Sequence, residues 1–418
     1  MRGLSIRGRG VGAAILAVAW LVALGAPAAH ADGAAATPSW VQQSLESQFH
    51  LGDSLPLRSS DWVGTHNSFN SVKEVGLALS ALDPNQKLTL TEQLDAGVRQ
   101  LEIDVHWFPS LSGLLSGSLQ APVVCHALDS GLGCSTEKAL GPILTEVATW
   151  SRAHPDDVVL VYLEDHLSNE KGYQTAGSVI ADKLGSLVYR TPNSTSCSTM
   201  PLSVSRSQIL ASGARILLLG NSCGVGNDPA WRSNVFDWHA SHLEAQVENG
   251  FEGWPACGPD FTAAQYATRF TRYFEEMGLI SKLDQAGGWP LTADDIAAMT
   301  KCGVNMLSLD NWSASDPRLA SMIWSWAPGE PSSSSGCAVQ GSDGRWSSAA
   351  CTDTHQVACQ LTDGSWTIPD AAVPQASAET TCTDAGASFA PPRTGSQNQA
   401  LLQAAGAADS GDVWVATS

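Results

Sequence analysis

Polar side chains that can carry out acid–base chemistry follow two strand-like segments early in the chain. His66 and Asn67 come directly after "VGT". Glu102 and Asp104 lie two residues apart in "QLEIDV". Because alternate residues of a strand face the same side, Glu102 and Asp104 are expected to share one face.

Two later strand-like segments end in the same way. His126 follows "PVVC", and Glu164 follows "VVLVYL" with Asp165 and His166 directly behind it. In a parallel barrel, the carboxyl ends of the strands meet at one mouth, where such barrels carry their active sites. We therefore expect two histidines, three carboxylates and one amide to converge there.

This set of residue types favours phosphodiester chemistry. Asn67, Glu102, Asp104 and Glu164 offer the oxygen ligands that Ca²⁺ or Mg²⁺ prefers. Two histidines that titrate near neutrality suit an acid and a base acting on opposite sides of a phosphorus atom. A metal ion at the same site would hold and polarise the phosphate.

Apolar segments alternate with amphipathic ones between Asp61 and Trp312, which favours a buried parallel sheet. Strands are predicted at 61–65, 100–105, 122–125, 157–164, 215–220 and 305–310, with a weaker one at 234–238. Helices are predicted at 90–98, 140–155, 261–278 and 292–303, with Thr292 as an N-cap and Gly97, Gly278 and Gly303 as stops. About 250 residues of this α/β pattern fit one TIM-type (β/α)8 barrel.

The start of the chain has the layout of a secretory signal. Three arginines precede an apolar run at 11–24, and the triplet Ala29-His30-Ala31 follows. We therefore predict a signal peptide over 1–31 and a secreted, extracellular protein. The formal net charge of −19 makes nucleic acid an unfavourable partner by general electrostatics.

Ten cysteines in an exported chain indicate disulfides. Proximity in sequence suggests that Cys125 pairs with Cys134 and Cys197 with Cys223. Elimination suggests Cys257 with Cys302.

The quoted segments resemble a known family. "GTHNS", "LDAGVRQLEIDV", "VVCHA" and "VVLVYLEDH" are similar in order and approximate spacing to the X region of phosphatidylinositol-specific phospholipase C, over most of 61–166. Asn67 and the Glu-x-Asp pair are more similar to the calcium-dependent branch. The resemblance implies a barrel and cleavage of phosphatidylinositol to diacylglycerol and an inositol phosphate, often cyclic, at a membrane or micelle interface.

The resemblance also implies residue roles. His66 would act on the phosphate and the attacking inositol 2-hydroxyl, and His126 would protonate the leaving diacylglycerol oxygen. Calcium would be held by Asn67, Glu102, Asp104 and Glu164. The general base is His66 or Glu102, and this alternative stays open. Three neighbouring residues either support the site or have no role in it: His106, Asp165 and His166.

The tail, residues 327–418, has a different composition and is predicted to be a separate small α+β module. The segment 323–359, which begins just before the tail, resembles the closing half of a C-type lectin domain. The last stretch of the tail resembles the opening half. The reversed order suggests a circular permutation, although a truncated second repeat would look similar. This resemblance implies the pairs Cys337–Cys351 and Cys359–Cys382. Ser332 and Ser347-Ser348 stand where calcium ligands would be needed, so a packing or protein-binding role is favoured over carbohydrate binding.

The sequence therefore predicts a calcium-dependent phospholipase C barrel over 32–326 followed by the lectin-like tail. The enzyme alternative is a glycerophosphodiester phosphodiesterase, which shares the Glu-x-Asp pair but usually has arginine where this chain has Asn67. A non-catalytic adhesin is the alternative from another class. Four tryptophans are interpreted as core or pocket residues rather than lipid-inserting ones: Trp238, Trp254, Trp289 and Trp312.

Overall fold

The structure, a computed structural model, describes most of the chain after residue 38. The described residues are 39–71, 73, 84–109, 117, 119–126, 134, 138–221, 223, 228–239, 241–247, 250–278, 289–332 and 336–417. The predicted signal peptide lies outside them. Among the described helices, none is long and apolar enough to cross a membrane.

Ten strands form the larger sheet of the described chain. They are β1 (Trp62–Thr65), β2 (Gln100–Pro109), β3 (Gln120–Val124), β4 (Lys138–Ala139), β5 (Val159–His166), β6 (Ile216–Gly220), β7 (Val235–Asp237), β8 (His242–Ala245), β9 (Phe270–Phe274) and β10 (Met306–Leu309). Eight of them pair in the order β7-β6-β5-β2-β1-β10-β9-β8, and every pair on this path is parallel. This confirms the predicted α/β barrel class.

Helices connect and cover these strands. They are α1 (Trp40–Leu51), α2 (Leu90–Asp95), α3 (Leu140–Ala153), α4 (Glu170–Leu184), α5 (Arg206–Ala211), α6 (Pro229–Arg232), α7 (Ala263–Thr268), α8 (Ala293–Cys302) and α9 (Pro317–Ser321). Capping boxes begin five of them, with Ser39, Thr89, Ser205, Thr262 and Thr292 as the capping residues. The predicted N-cap Thr292 is confirmed, and Gly303 ends α8 with a positive φ.

Alternate side chains of each strand face opposite sides of the sheet, so the apolar ones form two separate layers. Leu160, Leu217 and Phe270 belong to a buried cluster that also includes Trp62 and Met306, so strands far apart in the sheet meet inside the barrel. The residues between them, such as Val161 and Leu218, pack against the helices in a second cluster. The sheet is therefore curled around a packed interior, as expected for this barrel class.

The segment at 122–125 is not a parallel barrel strand. β3 pairs antiparallel with the outer half of β2, with Val105 opposite Val124 and Pro109 opposite Gln120. β2 is ten residues long because it continues beyond the barrel wall into this hairpin. His126 therefore reaches the mouth from a hairpin arm rather than from a barrel strand.

The predicted helix at 261–278 is wrong. Only α7 is helical there, and the chain then enters β9, which pairs with β8 and β10. Phe270, Thr271, Arg272 and Tyr273 are all buried. β-Branched and aromatic residues favour a strand between two neighbours over a continued helix. Gly278 consequently ends no helix.

Five disulfides are present among the described residues, and they are the five pairs predicted from the sequence. They join Cys125–Cys134, Cys197–Cys223, Cys257–Cys302, Cys337–Cys351 and Cys359–Cys382. Such cysteine usage is typical of proteins that mature in an oxidising compartment.

The tail forms a four-stranded sheet with two helices. Its strands and helices are β11 (Ala338–Gln340), β12 (Trp346–Ser348), β13 (Gln356–Val357), β14 (Cys359–Gln360), β15 (Trp366–Thr367), α10 (Ala378–Asp384), α11 (Gly395–Ala407) and β16 (Val413–Val415). The sheet order is β12-β11-β16-β13, and β14 pairs separately with β15. Its division from the barrel as a domain and its lectin-like character stay predictions.

The tail packs at the amino-terminal end of the barrel strands. The backbone N–H of Gly395 lies 3.5 Å from an Asp61 carboxylate oxygen, just before β1. The Arg393 side chain donates to the hydroxyl of Ser54, just after α1, at 3.0 Å. The tail is thus on the opposite end of the barrel from the residues that follow the strands.

Gly395 gives a direct test of this packing. A Cβ at Gly395 would lie 2.4 Å from the Thr300 carbonyl oxygen in α8, so Gly395→Ala should lower the free energy of unfolding by about 1–3 kcal/mol. Gly406→Ala in the same helix α11 is the matched control, because its Cβ would meet no atom within 4 Å and should be neutral or stabilising by up to ~1 kcal/mol. Urea unfolding of both variants measures the difference. Equal stabilities would contradict the close approach of α11 to α8.

Candidate active site

The turn after β1 is tied to both neighbouring strands. The backbone N–H of His66 donates to the Leu309 carbonyl at 3.2 Å. The Ser68 hydroxyl accepts a hydrogen bond from the Glu102 backbone N–H at 2.7 Å. Asn67 adopts a φ of 45°, which asparagine tolerates better than most residues. These contacts hold His66 and Asn67 at the barrel mouth.

His66 lies against a buried carboxylate, Asp310, that was not identified from the sequence. Its Nδ1 is 3.3 Å from both oxygens of Asp310, and its Nε2 is 3.4 Å from Glu276. Burial alone would lower the pKa of His66, but the carboxylates of Asp310 and Glu102 raise that pKa well above its ordinary value. Asp310 follows β10 as His66 follows β1, so the strand-end rule that singled out His66 could also have found Asp310.

Glu102, Asp104 and Glu164, which we call the acid trio, lie together at the mouth. Asp104 is opposite Glu164 in the pairing of β2 with β5, and Glu102 is on the same face two residues before Asp104. One carboxylate oxygen of each residue lies within 4.8 Å of the other two. The structure therefore brings together the three predicted acidic ligands.

The protonation of the acid trio reflects crowding and burial. Burial raises the pKa of Glu102 to about 7. Burial, with the neighbouring carboxylates of Glu164 and Glu102, raises the pKa of Asp104 well above its usual value. Burial alone would also raise the pKa of Glu164, but the hydrogen bond from His166 at 3.1 Å lowers it. Such a cluster is stabilised by any added positive charge.

Asn67 completes the predicted oxygen set. The end of its side chain lies 2.8 and 3.0 Å from the two Asp104 oxygens when the amide is oriented so that its nitrogen donates. Rotating the amide by half a turn would present its oxygen to the same space instead. Four residues with oxygen donors around one acidic space fit a hard divalent cation such as Ca²⁺.

Arg272 is the main functional residue that the sequence analysis missed. It forms a buried ion pair with Glu102, contacts Glu244 at 3.3 Å and donates to the Ser308 hydroxyl at 3.1 Å. Burial alone would lower the pKa of Arg272, but the carboxylates of Glu102 and Glu244 raise it above its usual value. Because the β9 segment was predicted to be helical, the sequence did not indicate that Arg272 faces the barrel interior.

His126 is linked to the same mouth by an asparagine. Its Nδ1 lies 3.4 Å from the Asn70 side-chain nitrogen. The preceding residue, Cys125, is bonded to Cys134, which holds the end of the hairpin arm. The structure therefore places His126 beside the turn that carries His66.

The three residues considered as supports occupy different positions. His166 binds Glu164, and the ring of His106 stacks on the ring of His166 at a centroid distance of 4.5 Å. Asp165 instead faces the helices, where it accepts a hydrogen bond from Tyr173 in α4. Asp165 is thus outside the mouth.

The arrangement can support acid–base chemistry on an anionic substrate. Two imidazoles can accept or donate protons, while the acid trio and Asn67 can hold a cation that attracts a phosphate. Arg272 offsets part of the negative charge.

The chain is similar to a protein family and to proteins from two organisms. A family model described as the Rv2075c PI-PLC-like domain matches residues 21–316. An uncharacterised protein, Rv2075c of Mycobacterium tuberculosis, is 41% identical over 398 residues, which cover 90% of this chain and 79% of the relative. An Arabidopsis thaliana protein that contains a PI-PLC X domain is 30% identical over 128 residues, 29% of this chain and 27% of that protein.

Two solved structures resemble the chain at low sequence identity. The phosphatidylinositol-specific phospholipase C of Listeria monocytogenes is 15% identical with a TM-score of 0.42, covering 67% of this chain and 97% of that one. A calcium-dependent phosphoinositol-specific phospholipase C from a Pseudomonas species is 15% identical with a TM-score of 0.34, covering 64% and 96%. The family match and the mycobacterial relative are more extensive, and by them the chain belongs to the family of the Rv2075c PI-PLC-like domain.

Proposed function

We propose that this protein is an exported, calcium-dependent phospholipase C that cleaves phosphatidylinositol to diacylglycerol and an inositol phosphate. The observation that carries this proposal is the convergence of His66, His126 and the acid trio at one barrel mouth. The family match and the names of the similar phospholipases support the substrate class. The five disulfides support export.

The residues of the mouth suggest how the reaction would proceed. The inositol 2-hydroxyl attacks phosphorus and gives its proton to a base, while the bond to the diacylglycerol oxygen breaks and that oxygen receives a proton. We assign the base to His66 in its neutral form, because Asp310 holds Nδ1 and Nε2 is then the nitrogen that can take the proton. A cation at the acid trio would favour that neutral form, since it opposes the carboxylates that raise the pKa of His66. Glu102 forms an ion pair with Arg272 and lies beside Asp104 and Glu164, so we assign it to the cation rather than to the hydroxyl proton. His126 is the donor to the leaving oxygen.

The acid trio and Asn67 would hold the calcium ion. When bound, Ca²⁺ would neutralise charge that develops on the phosphoryl oxygens. The chain itself contributes a dense set of carboxylates whose mutual repulsion a divalent ion relieves. Arg272 limits this repulsion through its ion pair with Glu102.

The first prediction concerns the reaction and both histidines. Wild-type protein should release water-soluble inositol phosphate from phosphatidylinositol vesicles with calcium, and a chelator should abolish the release. His66→Ala and His126→Ala should each lower kcat by ~100-fold or more, the scale of general acid–base catalysis. The exposed His239 provides the control variant His239→Ala, which should retain full activity.

Other outcomes of this assay point to other functions. Release that survives chelation would retain the phospholipase and remove the metal roles. Hydrolysis of glycerophosphodiesters without release from phosphatidylinositol would favour the glycerophosphodiester phosphodiesterase. Inactivity on both substrates would favour the non-catalytic adhesin.

The second prediction tests the calcium ligands with isosteric amides. Asp104→Asn removes one charged ligand and should raise the calcium concentration for half-maximal activity by about tenfold or more, since ligand charge tunes affinity. Asp165→Asn is the matched control, because Asp165 neighbours Glu164 but faces α4. Calcium titration of activity compares the two. Similar calcium requirements in both variants would contradict the assignment of the acid trio.

The third prediction concerns contact with a lipid surface. Leu119 and Trp254 are the large hydrophobic residues exposed among those the structure describes, at 64% and 47%. Leu119 lies at the outer end of the β2–β3 hairpin, beyond the mouth. Trp254 lies beside the barrel, in a segment that runs from Phe251, next to Asp295, to the disulfide of Cys257 with Cys302.

Leu119→Ser should therefore weaken binding to phosphatidylinositol vesicles by about tenfold or more, since burial of a leucine side chain contributes about 1.5–3 kcal/mol. Trp254→Ser should bind as the wild type does. Vesicle sedimentation measures both. A loss only in Trp254→Ser would place the lipid contact on the side of the barrel rather than at the mouth.

A further inference from the structure

We propose that Asp310 fixes the neutral ring of His126 as the tautomer with its proton on Nε2, acting through the side chains of Asn85 and Asn70. We call Asp310, Asn85 and Asn70 the amide relay. Asn85 and Asn70 are positioning residues in this proposal, because they act through His126. The catalytic meaning of this proposal rests on the proposed phospholipase function, but the tautomer of His126 can be measured in a protein with no activity.

The relay begins at a group that can only accept hydrogen bonds. The buried Asp310 carboxylate takes hydrogen bonds from the Met277 N–H at 2.8 Å and from Nδ2 of Asn85 at 3.1 Å. An ionised carboxylate has no hydrogen to donate, so Asn85 must present its nitrogen to Asp310. The Asn85 oxygen is thereby directed to the other side. Asn67, whose side chain ends 3.3 Å from that oxygen, then turns its amide nitrogen to Asn85 and its own oxygen to Asp104 and the cation space.

The second amide passes this orientation on to His126. Asn85 Oδ1 lies 2.7 Å from Asn70 Nδ2, so Asn70 must donate to it. The same Asn70 nitrogen lies 3.4 Å from His126 Nδ1. An amide nitrogen donates two hydrogens and accepts none, so Nδ1 of His126 must be the accepting atom. The ring proton of neutral His126 is then on Nε2.

The backbone prevents the two amides from moving away. Asn85 and Asn70 are fully buried. The Gln86 N–H donates to the Asn70 carbonyl at 2.9 Å, and the Asn311 N–H donates to the Asn85 carbonyl at 2.6 Å. Gln86 also donates from its side chain to the His66 and Leu309 carbonyls at 2.6 and 2.8 Å. The relay is therefore built into the walls of the mouth.

One carboxylate thus sets opposite proton positions on the two rings. When His66 is neutral, it donates from Nδ1 to Asp310, and Nε2, which lies 3.4 Å from Glu276, is the bare nitrogen. His126 accepts at Nδ1 and leaves Nε2–H as a donor. In the proposed reaction, His66 is suited to take a hydroxyl proton and His126 to donate a hydrogen bond to a phosphoryl or leaving oxygen.

The tautomer is measured in the whole chain labelled with ¹⁵N-histidine. Two-bond ¹⁵N–¹H correlation spectra at about pH 8, where ordinary histidines are neutral, distinguish a protonated ring nitrogen from a bare one. His126→Gln identifies the His126 signals by their loss. We expect the Nε2–H form alone in the wild type. An Nδ1–H form there overturns the proposal without the need for any variant.

Two variants test the steps of the relay. Asn70→Asp replaces the donor with an acceptor and should move the His126 proton to Nδ1. Asn85→Ala frees the Asn70 amide to rotate and should give a mixture of both tautomers. Asn305→Ala is the matched control, because Asn305 is an equally buried asparagine at the opposite end of β10. It should leave the His126 signals unchanged. An unchanged Nε2–H form in both relay variants overturns the proposal.

An activity assay on the same samples separates this proposal from the proposed function. Asn85→Ala should lower kcat for phosphatidylinositol about tenfold with KM changed less than about twofold, because it disturbs the orientation of the Nε2–H that would hydrogen-bond a phosphoryl or leaving oxygen, and removes no binding group. If the wild type releases no inositol phosphate but shows the expected tautomers, the phospholipase is rejected and the relay stands.

Discussion

A buried guanidinium inside the barrel determines how much negative charge the mouth can hold. Arg272 is 2% exposed and contacts Glu102, Glu244 and Ser308. A buried charge without a partner costs several kcal/mol, and removal of one member of a buried pair typically costs ~3–5 kcal/mol. Glu102 can therefore stay in the interior only because β9 brings Arg272 to it. The acid trio therefore depends on three strands that are far apart in sequence, β2, β5 and β9.

The strand-end rule predicted much of the site from local sequence. It identified His66, Asn67, Glu102, Asp104 and Glu164, because alternation and strand ends are read within a few residues. It failed where the partner lies elsewhere in the chain. Arg272 was hidden in a segment whose composition suits a helix until two neighbouring strands pair with it. The antiparallel direction of β3 was also unreadable, because a short apolar run has no signature of strand direction.

The disulfides and the tail show what sequence proximity can and cannot establish. All five pairs were predictable, three from spacing or elimination and two from the lectin resemblance. Where the tail sits was not predictable, because its contacts with the barrel, such as Gly395 with Asp61, join residues more than three hundred positions apart. With the tail at the amino-terminal end of the strands, its sheet and helices leave the mouth to the loops that follow the strands.

The hairpin arm gives the two histidines different mechanical support. His66 is attached to the barrel wall, with strands on both sides and Asp310 behind its ring. His126 follows the end of β3 that lies beside Val105, and β3 is held in antiparallel pairs by β2 on one side and β4 on the other. The disulfide of Cys125 with Cys134 and the contact with Asn70 support it there. The two imidazoles are therefore held by different elements, one by the parallel wall and one by the antiparallel β3, so the pairing of β3 with β2 decides how precisely the two rings are aligned.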